Sequence, residues 1–304
     1  MTIVLPTTPA AWAIKLSQIL QHIQATTNES IYPIKIQDLA CDISKHFFPS
    51  DPLVRVCGDT FSTEFDGMMV KKNGQWGIVY NDAITSQGRI NFTLAHEFGH
   101  YLLHRADLEN GIQCGRNEMM KCKSEQRNIE AEANEFASHL LMPINIFREK
   151  VNGETLDLNL FQNIAEYFDV SLTAALLKWI SFTSKRAMIV VAKDGFVKWA
   201  RSSDSAFKTG LFLRTGKDYP PIEIPTLSLA GRKDQFLDNM AGTDHEAGIW
   251  PFREGVREAT LLADTYDMTI SLLLFSDVAP VRYFGEEMPE EDTFDRFQRM
   301  AING

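Results

Sequence analysis

Thr93-Leu94-Ala95-His96-Glu97-Phe98-Gly99-His100-Tyr101-Leu102-Leu103-His104 holds the most informative pattern in this 304-residue chain. It contains H-E-x-x-H. On a helix, His96 and His100 lie one turn apart on one face, their imidazoles aimed at one point with Glu97 beside them. Two neutral imidazoles so placed make a clamp for a divalent metal, and Zn²⁺ is the usual occupant. A carboxylate next to such a metal can take a proton from water whose pKa the metal has lowered to roughly 7. Phe92, Leu94, Ala95, Phe98, Leu102 and Leu103 supply the apolar surface expected of a buried helix.

His104 extends the series to i, i+4, i+8. A helix rises ~1.5 Å per residue, so His96 and His104 stand about 12 Å apart along the axis. Metal–nitrogen bonds are only ~2.0–2.1 Å, so one ion cannot reach both. His104 is read as a packing or supporting residue, and the third ligand must come from elsewhere. The second helix expected, over 128–142 and stopped by Pro143, is the source. Its apolar stripe is Ile129, Ala133, Phe136, Ala137, Leu140 and Leu141. Glu130 and Asn134 face the same side, which suits a carboxylate ligand and an amide that orients a ligand by hydrogen bonding. Glu132 points roughly 200° away around the helix, so only one of the two glutamates can face the metal. Glu130 is favoured. Glu132 and Glu135 suit a solvated acidic face, and His139 a structural place.

Composition bounds what these helices belong to. The length allows two domains, and 44% hydrophobic with 23% charged residues is ordinary for a globular protein. A formal net charge of −10 argues against non-specific nucleic-acid binding by the whole molecule. Four cysteines, Cys41, Cys57, Cys114 and Cys122, are too few for a disulfide-stapled secreted protein. The N-terminus lacks the basic-then-apolar pattern of a signal peptide. No apolar run approaches the ~18–20 residues that span a bilayer. The expectation is a cytoplasmic protein with no membrane partner.

Before the motif, helices are expected over 9–24 and 33–44, then strands between Val54 and Tyr80. Phe65–Val70 and Trp76–Tyr80, joined by Lys71-Lys72-Asn73-Gly74, read as a hairpin. Two helices, a small sheet and the H-E-x-x-H helix make an α+β unit. An edge strand of such a sheet, beside the metal, could pair with an extended peptide.

The two motif helices resemble the ImmA/IrrE family of metallo-endopeptidases over roughly residues 30–180. The resemblance rests on Arg89-x-x-Phe-Thr-Leu-Ala-His-Glu-Phe-Gly-His-x-Leu-Leu-His and on Ile129-Glu-x-Glu-Ala-Asn-x-Phe-Ala-x-x-Leu-Leu-Met-Pro143. It implies one Zn²⁺ per chain held by His96, His100 and Glu130, with Glu97 as general base. It further implies cleavage of a partner protein, an XRE-type helix-turn-helix repressor, releasing stress-response or mobile-element genes. Tyr80, Tyr101 and His139 are candidates for the oxyanion donor. The segment between His100 and Glu130, carrying Cys114 and Cys122, is longer than in the shortest members; it is read as a mobile loop rather than a second metal site or redox sensor.

Beyond Pro143, helices over 156–168 and 171–182 outline a helix-turn-helix. The second is mainly apolar, with Lys178 its sole basic residue before Lys185-Arg186, so it is read as packing and direct DNA binding is not expected. The last third changes to strands: 187–192 and 196–200 as a hairpin, then 258–263 and 268–275. The domain plan is 1–150 for the peptidase domain, 151–184 for a helical connector, and 185–304 for an α/β domain on an antiparallel sheet. This last domain is similar to the GAF-like sensor domain of some relatives. Phe212, Trp250, Phe252 and Tyr266 are read as core rather than pocket, and 285–292 as an acidic solvated segment. Two rival readings are a non-catalytic metal protein that sequesters a transcription factor and a DNA-binding protein using residues 156–182.

Overall fold

The computed structural model describes residues 5–60, 65–107, 111–115, 124–232, 239–263 and 268–278, and these divide into two units. One takes in the described residues up to Lys150 together with Ala165–Ser171; the other takes in Val151–Ile164 and those from Leu172 onward. Among the described residues there are eight helices and two sheets, a mixed α+β architecture. No helix among them is long and apolar enough to cross a membrane.

The first unit begins with α1 (Pro9–Thr27), which has proline in its first turn and a Thr8 side chain that accepts from Ala11 N at 3.3 Å. After α2 (Ile36–Phe47) come β1 (Leu53–Asp59), β2 (Phe65–Lys72) and β3 (Gln75–Asn81). Asn73 and Gly74 both take positive φ, 52° and 78°, the two-residue turn whose twist matches a hairpin. That turn sets the β2–β3 register, with Lys72 opposite Gln75. Trp76 and Ile78 then fall on the same buried face, at 0% and 1% exposure.

The site helix α3 (Gln87–His104) follows, then β4 (Gly111–Gly115) and α4 (Ser124–Leu141). The four-stranded sheet has the order β1-β3-β2-β4, parallel between β1 and β3 and antiparallel elsewhere. β4 corrects the reading of this segment as loop throughout. A strand of five residues leaves too short a pattern to see, but the open edge of β2 supplies the hydrogen-bonding groups that order it. Cys114 lies in β4 opposite Gly67, and Cys122 falls outside the described residues.

The chain continues through α5 (Ile144–Val151), α6 (Leu158–Phe168) and α7 (Leu172–Ile180). Lys178, the basic residue of α7, is only 6% exposed and so is not displayed for phosphates. The second sheet comprises β5 (Ala187–Lys193), β6 (Phe196–Ser202), β7 (Asn239–His245), β8 (Val256–Ala263) and β9 (Met268–Phe275), with the short α8 (Asp204–Lys208) after β6. Its order is β6-β5-β9-β8-β7 and every pairing is antiparallel. Asp194 and Gly195, at φ 53° and 83°, repeat the hairpin device of β2–β3. β7, in a Gly- and Asp-containing segment without strand character, was not anticipated; pairing with β8 holds it. Met188, Val190, Trp250, Phe252 and Leu273 share this unit's core, which agrees with the core reading of Trp250 and Phe252. Tyr266 and residues 285–292 fall outside the described residues.

Candidate metal centre

Helix α3 starts where Ser86 accepts from Arg89 N at 3.4 Å, and its middle is buried on every side. Sheet strands β2 and β3 cover one flank and α4 the other. Close approach of the two helices depends on Gly99, inside the motif. A Cβ there would lie 2.9 Å from Phe136 Cδ1 and 3.3 Å from Ala133 Cα. Ala133 and Ala137, both fully buried, keep the facing surface of α4 equally low. Burying Phe98 and Phe136, whose rings meet edge to face at 5.7 Å, contributes about 2–3 kcal/mol each to this seam.

This packing brings Glu130 to the two histidines. His100 Nε2 is 3.1 Å from His96 Nε2 and 3.4 Å from Glu130 Oε1, while His96 Nε2 is 3.2 Å from Glu130 Oε2. Donor atoms about 2.0–2.1 Å from a tetrahedral ion stand about 3.3–3.4 Å apart, so this spacing is that of three ligands around one small cation. Proton bookkeeping points the same way. His96 Nδ1 is 3.0 Å from Asn134 Oδ1, an acceptor, so the ring proton sits on Nδ1 and Nε2 keeps its lone pair. His100 Nδ1 likewise has a partner behind it, His104 Nδ1 at 3.0 Å. Lone pairs and a carboxylate thus converge in a buried place, and a cation is what resolves that arrangement.

Electrostatics follow the geometry. Burial pushes the Glu130 carboxyl up, but the adjoining His100 and His96 rings outweigh it and hold the group well below the usual carboxylate range. Burial pushes His100 down to about 4, opposed by Glu130 and reinforced by His96 and His104. His100 is therefore neutral and able to ligate at pH 7. Burial also lowers His96, yet the adjoining Glu130 carboxylate and the charge of Glu97 raise it on balance.

Glu97 is fully buried. It lies on the side of α3 that meets β2, where Gly67 leaves room: a Cβ at Gly67 would be 3.5 Å from Glu97 Cγ and 2.5 Å from Thr93 Cγ2. Arg89 Nε donates to Asp66 Oδ2 at 2.8 Å and fastens the neighbouring part of β2 to α3.

Not every candidate gathers here. Glu132 keeps the solvent exposure expected of it, with a side chain 47% exposed, but its Oε2 also lies 2.9 Å from His104 Nε2, a partner not anticipated. Tyr101 is removed from the oxyanion candidates, because its hydroxyl donates to Asp51 O at 2.7 Å and its ring packs among Phe48, Trp76 and Phe98. Burial pushes that phenol up to about 12. Tyr80 lies over Gly58, its Oη 3.2 Å from where a Cβ of that glycine would be. His139 is about 13 Å along α4 from Glu130. Sequence reasoning missed the spacer role of Gly99 and Gly67. A small residue inside an otherwise bulky motif was the available signal for the first.

Residues 58–179 match the Peptidase_M78 family model, described as the IrrE N-terminal-like domain. The matched segment contains His96, Glu97, His100, Glu130 and Asn134. The resemblance read from the two motif helices therefore holds, over a shorter segment than residues 30–180. A search of curated proteins found no match to the chain.

Proposed function

We propose, from the IrrE N-terminal-like domain of residues 58–179, that the chain is a cytoplasmic zinc endopeptidase. Its substrate is a partner protein, an XRE-type helix-turn-helix repressor, whose cleavage relieves repression of stress-response or mobile-element genes. The observation that carries the reading is the convergence of three ligand atoms from His96, His100 and Glu130, with Glu97 following His96 in the motif.

His96, His100 and Glu130 hold the ion, and Asn134 orients His96 through its Nδ1. The metal, when bound, supplies Lewis acidity that polarises the scissile carbonyl and acidifies the attacking water. Glu97 takes the water's proton and passes it to the leaving amine. The packing of Glu97 against Gly67 fixes the carboxylate relative to His96 before substrate arrives. We read the second unit, with its five-stranded antiparallel sheet, as a GAF-like sensor that governs the peptidase.

The test compares new protein N-termini in cells carrying the wild type and Glu97→Gln. The expected result is a single cut in an XRE-type repressor with the wild type, a rate lower by about 10²–10⁴ in the variant, and equal metal content in both. A repressor inactivated while full length would contradict cleavage and favour sequestration. Wild-type cutting by Glu97→Gln would remove the assigned role of the base.

A further inference from the structure

His100 and His96 are supported from behind in different ways. Asn134 meets His96 directly, with an amide oxygen 3.0 Å from Nδ1. Behind His100 stands a second imidazole and then a carboxylate: His100 Nδ1 to His104 Nδ1 is 3.0 Å, and His104 Nε2 to Glu132 Oε2 is 2.9 Å. His100 is fully buried and His104 6% exposed, so water does not substitute for the contact between the two rings at low cost.

We infer that His104 and Glu132 are positioning residues that fix the tautomer of His100 and so set which of its nitrogens faces the metal. The inference rests on the metal-centre reading. Its logic is proton counting. Glu132, as a carboxylate, only accepts, so the His104 nitrogen that faces it, Nε2, carries the proton. When that is its one ring proton, His104 presents a lone pair at Nδ1. The two facing Nδ1 atoms share one hydrogen bond, so His100 Nδ1 is the donor. His100 Nε2 is left with its lone pair, and that atom is the one 3.1 Å from His96 Nε2 and 3.4 Å from Glu130 Oε1. Glu132 thus selects the ligating nitrogen of a residue it does not touch. Its charge, passed through two imidazoles, also favours the positive character that His100 acquires on binding a cation.

The spacing in sequence makes the relay possible. His104 is one turn beyond His100 on α3, and Glu132 sits two residues after Glu130 on α4, so the same helix pair presents one glutamate to the metal and the other to the support. Glu132 has a side chain 47% exposed, which makes it replaceable without opening the core.

Two readouts on the full-length protein test the relay separately from the metal-centre reading. The first is the ¹⁵N NMR tautomer of His100 in metal-free protein. The expected form is Nδ1–H in the wild type, shifting toward Nε2–H in His104→Phe. The second is Zn²⁺ affinity, expected to fall about 10–100-fold in His104→Phe and by a smaller factor in Glu132→Ala. Because Glu132 acts through His104, adding Glu132→Ala to His104→Phe should cost no further affinity. Glu132→Gln, whose amide oxygen still accepts from His104 Nε2, should restore most of what Glu132→Ala loses. An unchanged tautomer in His104→Phe, or additive losses in the double variant, would overturn the relay. A wild type in the Nδ1–H form that takes up no Zn²⁺ would uphold the relay's geometry and overturn the metal-centre reading instead.

Discussion

Each unit sets a glutamate beside a histidine, Glu258 fully buried and Glu130 mostly so, and the two are handled in opposite ways. Glu258, on β8 and fully buried, is surrounded by donors. Leu229 N at 3.0 Å, Ala230 N at 2.9 Å, Trp250 Nε1 at 2.9 Å and Thr260 Oγ1 at 2.9 Å all point at its oxygens. His245 Nε2 also lies 2.9 Å away, without the alignment of a hydrogen bond. Glu130 instead faces two ring nitrogens whose protons are engaged on their far sides. A buried carboxylate ringed by donors is a structural fastener, here tying the 225–231 segment to β8. A buried carboxylate facing lone pairs is one side of a cation site. The chemistry of the facing atoms separates them, because residue type does not.

The widest contrast comes from removing each carboxylate. Glu130→Ala should lower Zn²⁺ affinity by more than about 100-fold, beyond the cost of disturbing only a ligand's support. Glu258→Ala should leave affinity unchanged and destabilise the second unit by at least about 3 kcal/mol, since buried donors lose their acceptor at about 1–3 kcal/mol each. Metal titration and denaturant unfolding of both variants check this, and equal metal affinities would break the distinction.

A smaller effect is expected at the glycines. Gly99→Ala drives a Cβ toward Phe136 and Ala133, so it should cost about 1–3 kcal/mol and weaken metal binding, because α4 carries Glu130. Gly195→Ala, at φ 83° with open space around it, should cost about 1–2 kcal/mol by backbone strain alone and leave the metal untouched. Thermal melts with and without Zn²⁺ distinguish the two.

The least pronounced effect is alkaline. Burial pushes Tyr32 and Tyr101, both in the first unit, up to about 12 from 10.0. A raised phenol favours the neutral folded form, so its contribution is complete below pH 10 and disappears as the pH rises through about 12. Absorbance titration at alkaline pH, followed in parallel by circular dichroism, should place these two ionisations together with loss of the first unit's structure. Their titration near 10 in a folded protein would contradict it.

Much of this organisation is written in local patterns. The H-E-x-x-H spacing, the Ile129-to-Leu141 stripe, and the Asn73-Gly74 and Asp194-Gly195 turns each act within a few residues, and α3, α4 and both hairpins are where those patterns place them. Most of the donor shell of Glu258 was not legible, because three of its four donors, Leu229, Ala230 and Trp250, lie 8 to 29 residues away. The same holds for Glu132. Its direction around α4 was read correctly as away from Glu130, but a solvated face and a partner on α3 look alike until the helices are packed. β4 and β7 carry little strand propensity and are ordered by the edges they join. Gly67 shows the limit most plainly, since its reason is the proximity of Thr93 and Glu97 on another element.

The central claim is that His96, His100 and Glu130 bind one cation, and X-ray absorption at the zinc edge of the full-length protein loaded with one equivalent tests it most directly. The account predicts a first shell of nitrogen and oxygen at about 2.0–2.1 Å with the outer scattering of two imidazoles, lost in Glu130→Ala. A zinc ion without imidazole scattering, or the same spectrum in Glu130→Ala, would contradict it.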